Sequence, residues 1–354
     1  MRQLDRQFEA KREREPRRGP ATELELEDLL SNPRAETVDA LTACPGDLIV
    51  LGAGGKMGPT LARMAKRASR DDRRVIAVSR WSSATAERAL NDAGVETIQC
   101  DLLDHDAVDR LPDATNVMFM AGQKFGSSGA PAMTWAMNTI VPANCADRYR
   151  DARIVAFSTG NVYALTPVSS GGARETDSLG PVGEYAASCV GRERVFESFA
   201  ERFGTRVSIF RLNYAVDLRY GVLVDIALKV HEGEPVFLGM GAVNVIWQGD
   251  ANRIALECLQ YAENPPFVVN VTGPDTLSVR ALAEWFGDRF GKPPRFAGHE
   301  GSDALLSNTS RMVSVFTPPE VTMEQLRDWV ADWVEGGGSL LGKPTKFEAR
   351  DGKY

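Results

Sequence analysis

The 354 residues are 43% hydrophobic and 25% charged, with a net charge of −7. That balance allows a sizeable core divided between two lobes and speaks against a nucleic-acid partner. Five scattered cysteines without a C-x-x-C and three distant histidines (His105, His231, His299) argue for reduced thiols and against a metal site. No apolar run approaches ~20 residues and the first residues are charged, so we expect neither a membrane span nor a signal peptide, and a soluble, cytoplasmic chain.

In chain order, residues 1 to about 20 read as a disordered tail whose basic run "KREREPRRG" is interleaved with acids. "ATELELEDLLSN" then predicts a short acidic helix. From Asp47 strands and helices alternate. "DLIVLG" predicts a buried strand, and "MGPTLARMAKRAS" a helix with Pro59 in its first turn. "RVIAVS" is strand-like, "SATAERALNDAG" helical with Gly94 as its stop, and "VETIQCDL" a third strand. "NVMFMAG" and "RIVAFSTG" follow as strands around a helical stretch at "TWAMNTIVPANCADRYR". This rhythm predicts an α/β fold, a doubly wound parallel sheet of Rossmann type with a smaller α+β substrate lobe. We expect an extension over 1–45 and a dinucleotide-binding domain over 46–211, to which 249–275 return. The lobe then comprises 212–248 and 276–354.

"LGAGGKMG" places Gly52, Gly55 and Gly58 as G-x-x-G-x-x-G between the first strand and its helix, with Lys56 and Met57 inside the loop. Glycines there permit a tight turn, close approach of a pyrophosphate and close helix–strand packing, while the helix N-terminus favours the anion. The second strand ends in Ser79 and Arg80 with no carboxylate. An acid there would bond a ribose hydroxyl, whereas an arginine accommodates a 2′-phosphate, so NADP is favoured over NAD.

Together these motifs resemble the extended short-chain dehydrogenase/reductases, the NAD(P)-dependent sugar epimerases, dehydratases and reductases, from about Gly46 to about Trp333. The resemblance implies adenine contacts from Asp101 and Leu102 in "CDLLD". It also implies cofactor contacts from Ala121, Gly122 and Lys124 in "MAGQKFG" and from Asn138 in "WAMNTIVPA". Thr159, with Ser158 beside it, falls where the catalytic serine or threonine belongs, and Tyr185 in "GEYAASCVGRERVFE" is the implied catalytic and cofactor-binding tyrosine. Asn161, Asn213, Arg219 and Asn244 are candidate substrate contacts.

Two departures stand out. The Y-x-x-x-K signature carries Cys189 in place of lysine. A unit charge at about 5 Å lowers a phenol by about two pKa units, so another cation, Lys124 or Arg192, is expected to compensate. Secondly, nucleotide-sugar members usually carry an arginine in the segment matching "GAVNVIWQGDA", where this chain has Asn244 and Trp247. The implied activity is hydride transfer on a sugar, sugar acid or similar polyol by a homodimer. The alternative is a dinucleotide-binding sensor or scaffold with little redox chemistry.

Overall fold

The computed structural model describes residues 18–69, 73–124, 126–343 and 345–353. The expected disordered tail lies outside the described residues, except for its last three. Of these, Gly19 already lies against Trp329, where an added Cβ would come within 2.7 Å of the indole.

Seven strands form one parallel sheet: β1 (Leu48–Leu51), β2 (Val75–Ser79), β3 (Glu96–Gln99), β4 (Asn116–Phe119), β5 (Arg153–Thr159), β6 (Arg206–Leu212) and β7 (Phe267–Val271). Their spatial order is β7-β6-β5-β4-β1-β2-β3. Side chains of β1 alternate between two cores, Leu48 and Val50 on one face and Ile49 and Leu51 on the other. Burial on both faces is why the run is continuously apolar. The strand order reverses between β1 and β4, and Leu51 pairs with Phe119. The glycine loop and the Ala121–Lys124 loop therefore leave the sheet side by side, at the switch point where open α/β sheets bind ligands.

Beyond Leu212, besides β7 and helices Gln248–Glu257 and Ser310–Val315, the structure becomes short strand pairs and three longer helices. Ala215–Val216 pairs with Ile246–Trp247, and Pro235–Phe237 with Arg295–Ala297. Helices Val222–Glu232, Val279–Phe290 and Met323–Glu335 bury a separate core that includes Phe286, Trp329 and Phe347. Leu26 and Leu30 join that core from helix Glu23–Leu30, which starts with a Thr22/Glu25 capping box. A second helix, Ala35–Ala43, was not anticipated; it has no side-chain cap and a weak apolar stripe. Both pack on the glycine-loop helix Gly58–Ala68. Among the described residues no helix is long and apolar enough to cross a membrane.

Candidate active site

The glycines of the loop act differently. Gly52 has a left-handed φ of +89°, and a Cβ there would lie 2.6 Å from the Ala121 nitrogen. A Cβ on Gly58 would lie 2.3 Å from the Ala53 carbonyl oxygen. These two close the turn and seat helix on strand. Gly55 is the exception: its Cβ would meet only the Gly52 oxygen, at an ordinary 3.5 Å. Helix Gly58–Ala68 begins with Met57 as an uncapped N-cap and has no acid in its first turn. Its first amide N–H groups and dipole therefore suit an anion. Bare backbone at Gly55 beside this helix start fits a pyrophosphate.

At the β2 end the Ser79 hydroxyl packs over Gly54, where a Cβ would come within 2.4 Å of it. Arg80 is exposed, and its guanidinium makes no hydrogen bond or ion pair with the described residues. Asp101, exposed after β3, accepts from the Leu103 amide at 3.1 Å, while Leu102 is buried beneath.

The loop after β4 is fixed from below by Asn138, fully buried in the π-helical turn Ala136–Ile140. Its amide donates to the Gln123 carbonyl at 3.1 Å and to Ser188 Oγ at 2.9 Å. Its oxygen accepts from the Gln123 amide at 3.0 Å and from Arg192 Nη2 at 2.5 Å. Gly122 is small because Arg192 Nη2 would lie 2.2 Å from a Cβ there. The side chain of Asn138 thus works as a brace for the loop.

Helix Gly183–Phe203 carries Tyr185, Cys189 and Arg192 on one face, one and two turns apart. The Tyr185 phenol lies beside the side chains of Thr159 and Cys189. Burial pushes Tyr185 well above its usual range, the neighbouring Cys189 adds to this, and Arg192 opposes it. Arg192 is only 6% exposed; it donates to the Phe157 carbonyl at 2.8 Å and to Asn138, and it forms no ion pair with a described carboxylate. A buried guanidinium held by neutral oxygens keeps its field for its neighbours. Lys124 Nζ sits 5.9 Å from the centroid of the Tyr185 ring and donates to the Thr345 carbonyl at 3.3 Å. Burial lowers its pKa to about 8. Both cations expected to compensate for Cys189 are therefore near the phenol, Arg192 on the same helix and Lys124 over the ring.

Other candidates lie elsewhere. Ser158 turns to the opposite face of β5 from Thr159, as strand alternation requires, and donates to Glu193 Oε1 at 2.5 Å. There it joins the buried Glu193–Arg211 pair (2.7 Å), so the expectation that Ser158 could replace Thr159 at the phenol is corrected. Arg219 is also corrected as a substrate contact. Its guanidinium is held by Asp217 at 2.6 Å and by Glu27 of the extension at 2.7 Å. Asn213 donates to Asn244 Oδ1 at 3.0 Å, and Asn244 donates to the Ser307 carbonyl at 2.7 Å; both are buried and pin the loop at 305–307. Asn161 is 8% exposed and gives its backbone N–H to Thr159 Oγ1 at 3.2 Å. Sequence reading missed the segment 345–353. Its Thr345 reaches Lys124, and its Gly352 packs on Gly183, where a Cβ would meet the Gly352 oxygen at 2.6 Å. All five cysteines are free and buried, and no metal-binding cluster occurs among the described residues.

A switch-point glycine cradle beside a helix-borne tyrosine defines a dinucleotide-dependent α/β enzyme class. The chain belongs to the NAD dependent epimerase/dehydratase family, whose model matches residues 48–253. The fold is similar to UDP-glucose 4-epimerase from Thermotoga maritima (TM-score 0.68, 18% identity, 82% of this chain and 99% of that one). It is also similar to the NAD complex of the Thermus thermophilus UDP-glucose 4-epimerase (TM-score 0.66, 21% identity, 82% and 99%). The NAD complex of UDP-glucuronic acid 4-epimerase from Bacillus cereus matches as well (TM-score 0.68, 16% identity, 82% and 98%). No curated protein sequence matches the chain.

Proposed function

We propose that this chain is a hydride-transfer enzyme acting on a hydroxyl or ketone of a carbohydrate-like small molecule, with Tyr185 as acid/base. The observation that carries this reading is the Tyr185 phenol, held between Thr159 and Cys189 with Arg192 behind it. When bound, the dinucleotide supplies the hydride acceptor or donor. Gly52, Gly55, Lys56, Met57 and Gly58 would hold its pyrophosphate, Asp101, with Leu102 buried beneath it, would meet its adenine, and Ala121, Gly122 and Lys124 would border its nicotinamide half. Ser79 and Arg80, with no carboxylate at the end of β2, favour NADP over NAD.

Tyr185 protonates a substrate carbonyl oxygen in the reducing direction and takes the proton back in oxidation. Thr159 hydrogen-bonds the same oxygen and aligns it. A phenol raised by burial stays protonated at neutral pH, so the form that can give a proton is populated and the phenolate that would take one is scarce. Arg192, which lowers its pKa, therefore favours the oxidising direction that the missing lysine would otherwise have served. The solved relatives include UDP-sugar epimerases. Here the segment around Asn244 and Trp247 is buried and carries no base, which favours a free sugar, sugar acid or polyol. Met133, Trp135 and Ile140, exposed beside the Tyr185 helix, support a homodimer.

The thiol in the lysine position supports one other reading, a dinucleotide-binding protein with little redox activity. Cofactor titration followed by turnover of a sugar, sugar-acid and polyol panel separates the two. We expect Tyr185→Phe to cut turnover by about two to four orders of magnitude with the cofactor still bound, the range for a positioned acid/base. Binding without turnover across the panel would favour the sensor; turnover indifferent to Tyr185→Phe would remove Tyr185 from the chemistry.

A further inference from the structure

Tyr185 is the third residue of helix Gly183–Phe203, so the proposed acid/base sits in a first turn, the part of a helix that frays most easily. The N-cap residue is Val182, whose side chain cannot accept a hydrogen bond. Two contacts from distant parts of the chain meet this turn. In one, Trp135 Nε1 donates to Glu184 Oε2 at 2.6 Å. The other is with the segment 345–353. Gly183 (φ +82°) and Gly352 (φ +70°) pack backbone to backbone: a Cβ on Gly183 would lie 2.6 Å from the Gly352 oxygen, and one on Gly352 would press on the Val182 oxygen. Conformation and space both require glycine at each position.

The segment itself is firmly seated. Thr345, 3% exposed, donates its N–H and its hydroxyl to Asp225 Oδ2 at 2.8 and 2.6 Å, and its Oγ1 accepts from the Phe347 N–H at 3.2 Å. Phe347 is buried in the lobe core, and Arg350 donates to the Gly239 and Asp303 carbonyls at 2.8 and 3.0 Å. Thr345 also offers its carbonyl to Lys124 Nζ at 3.3 Å, and that ammonium stands 5.9 Å from the centroid of the Tyr185 ring. The segment thus runs from the lobe to the loop of Lys124 and to the helix of Tyr185. It lies outside residues 48–253, which the family model matches.

We propose that the segment 345–353 is a strap that aligns the groups of the proposed chemistry, with Thr345 and Gly352 as positioning residues. Thr345 sets Lys124 beside the Tyr185 ring, and Gly352 steadies the first turn that carries the phenol. The inference rests on the hydride-transfer reading above and adds residues to it. Asp225, which holds Thr345, belongs to the lobe helix Val222–Glu232, whereas Lys124 and Tyr185 lie beside the parallel sheet. The strap therefore ties the lobe to the groups that act on the substrate. Rate is sensitive to such alignment, since a misplacement of about 1 Å costs about a hundredfold. A fraying first turn and a long lysine side chain are two places where that error enters, and the strap touches both.

The test compares the full chain with variants of the strap. Ending the chain after Arg350 removes the Gly352 contact and keeps Thr345, Phe347 and Arg350. Gly352→Val drives a Cβ against the Val182 oxygen. Thr345→Val removes one of the two hydrogen bonds to Asp225, and Thr345→Ser keeps both. Each protein is read by thermal melting, calorimetric titration with NAD and NADP, amide hydrogen exchange, and turnover of D-galactose, D-galacturonate and D-glucitol. We expect melting temperature and dinucleotide affinity to stay close to those of the full chain, because none of these contacts is with the glycine loop. In the shortened chain and in Gly352→Val, exchange at 183–187 should speed up about tenfold or more. Their kcat should fall about tenfold to a hundredfold with KM little changed. Thr345→Val should lower kcat about tenfold, and Thr345→Ser should restore it to within about twofold. Unchanged kcat in both Gly352 variants overturns the proposal, and a Thr345→Val that matches the full chain overturns the part given to Thr345. Parallel losses of kcat, dinucleotide affinity and melting temperature make the segment a general support of the fold and overturn it too. Should either Gly352 variant fail to fold, the Thr345 pair decides. Failure of the full chain to turn over any of the three compounds would instead bring down the underlying reading, and exchange at 183–187 would then decide whether the strap orders the helix.

Discussion

The glycine loop and the tyrosine helix hold the two halves of the proposed chemistry, and they are built on different principles. In the loop each glycine answers a local steric demand. Gly52 and Gly58 face backbone atoms of Ala121 and Ala53, and Gly55 meets only an ordinary contact with the Gly52 oxygen. In the helix the family's cation is missing from its place in sequence, and positive charge comes from Arg192, two turns on, and from Lys124 on another loop. Backbone shape is thus tied to a steric contact at one set position, whereas a charge requires only proximity and is free to move to another element.

The contrast is sharpest within the loop itself. Gly55→Val should abolish dinucleotide binding in a protein that still folds, because the new side chain meets only an ordinary contact inside the protein. Gly58→Val should destabilise the fold, by about 3 kcal/mol or more, because its Cβ would press on the Ala53 backbone. Thermal melts and cofactor fluorescence separate the two. Equal melting losses in both variants would show that Gly55 is structural as well.

On the helix, Cys189→Lys tests whether a substitute charge is already present. Cys189 is fully buried beside Tyr185, with Arg192 and Lys124 acting on it. We expect at least a tenfold loss of turnover, through like-charge crowding and overpacking. A gain, with the basic limb of the pH–rate profile moving to lower pH, would mean that neither Arg192 nor Lys124 stands in for the missing lysine.

Arg80→Ala should weaken NADP by about 1.5–3 kcal/mol, the range for a charge-assisted hydrogen bond, and leave NAD almost unchanged. Equal losses for both, or a wild-type preference for NAD, would take Arg80 out of cofactor selection.

A further effect is expected from pH. Lys56 and Lys124, held to about 7 and about 8, carry their charge below those values and lose it above them. Dinucleotide binding should therefore weaken as pH rises through 7, by up to about tenfold per unit where the Lys56 charge is lost. Lys56→Met should flatten the lower part of that profile; an unchanged profile would separate Lys56 from the ligand.

The sequence determined the parallel sheet, the strand-to-helix glycine turn and the tyrosine helix, because apolar periodicity and backbone sterics act between near neighbours. The strands at 48–51, 75–79, 96–99, 116–119 and 153–159 all fall within predicted runs. Tertiary structure alone decided that Thr159 rather than Ser158 meets the phenol, a matter of which face of β5 turns to the helix. It also decided that Glu27 and Asp217 claim Arg219, although 192 residues separate Glu27 from Arg219 in the chain. Finally, it brought Thr345 to Lys124, 221 residues apart. Hydrogen bonds and charges depend on distance in space, and no pattern of spacing along a chain records that distance.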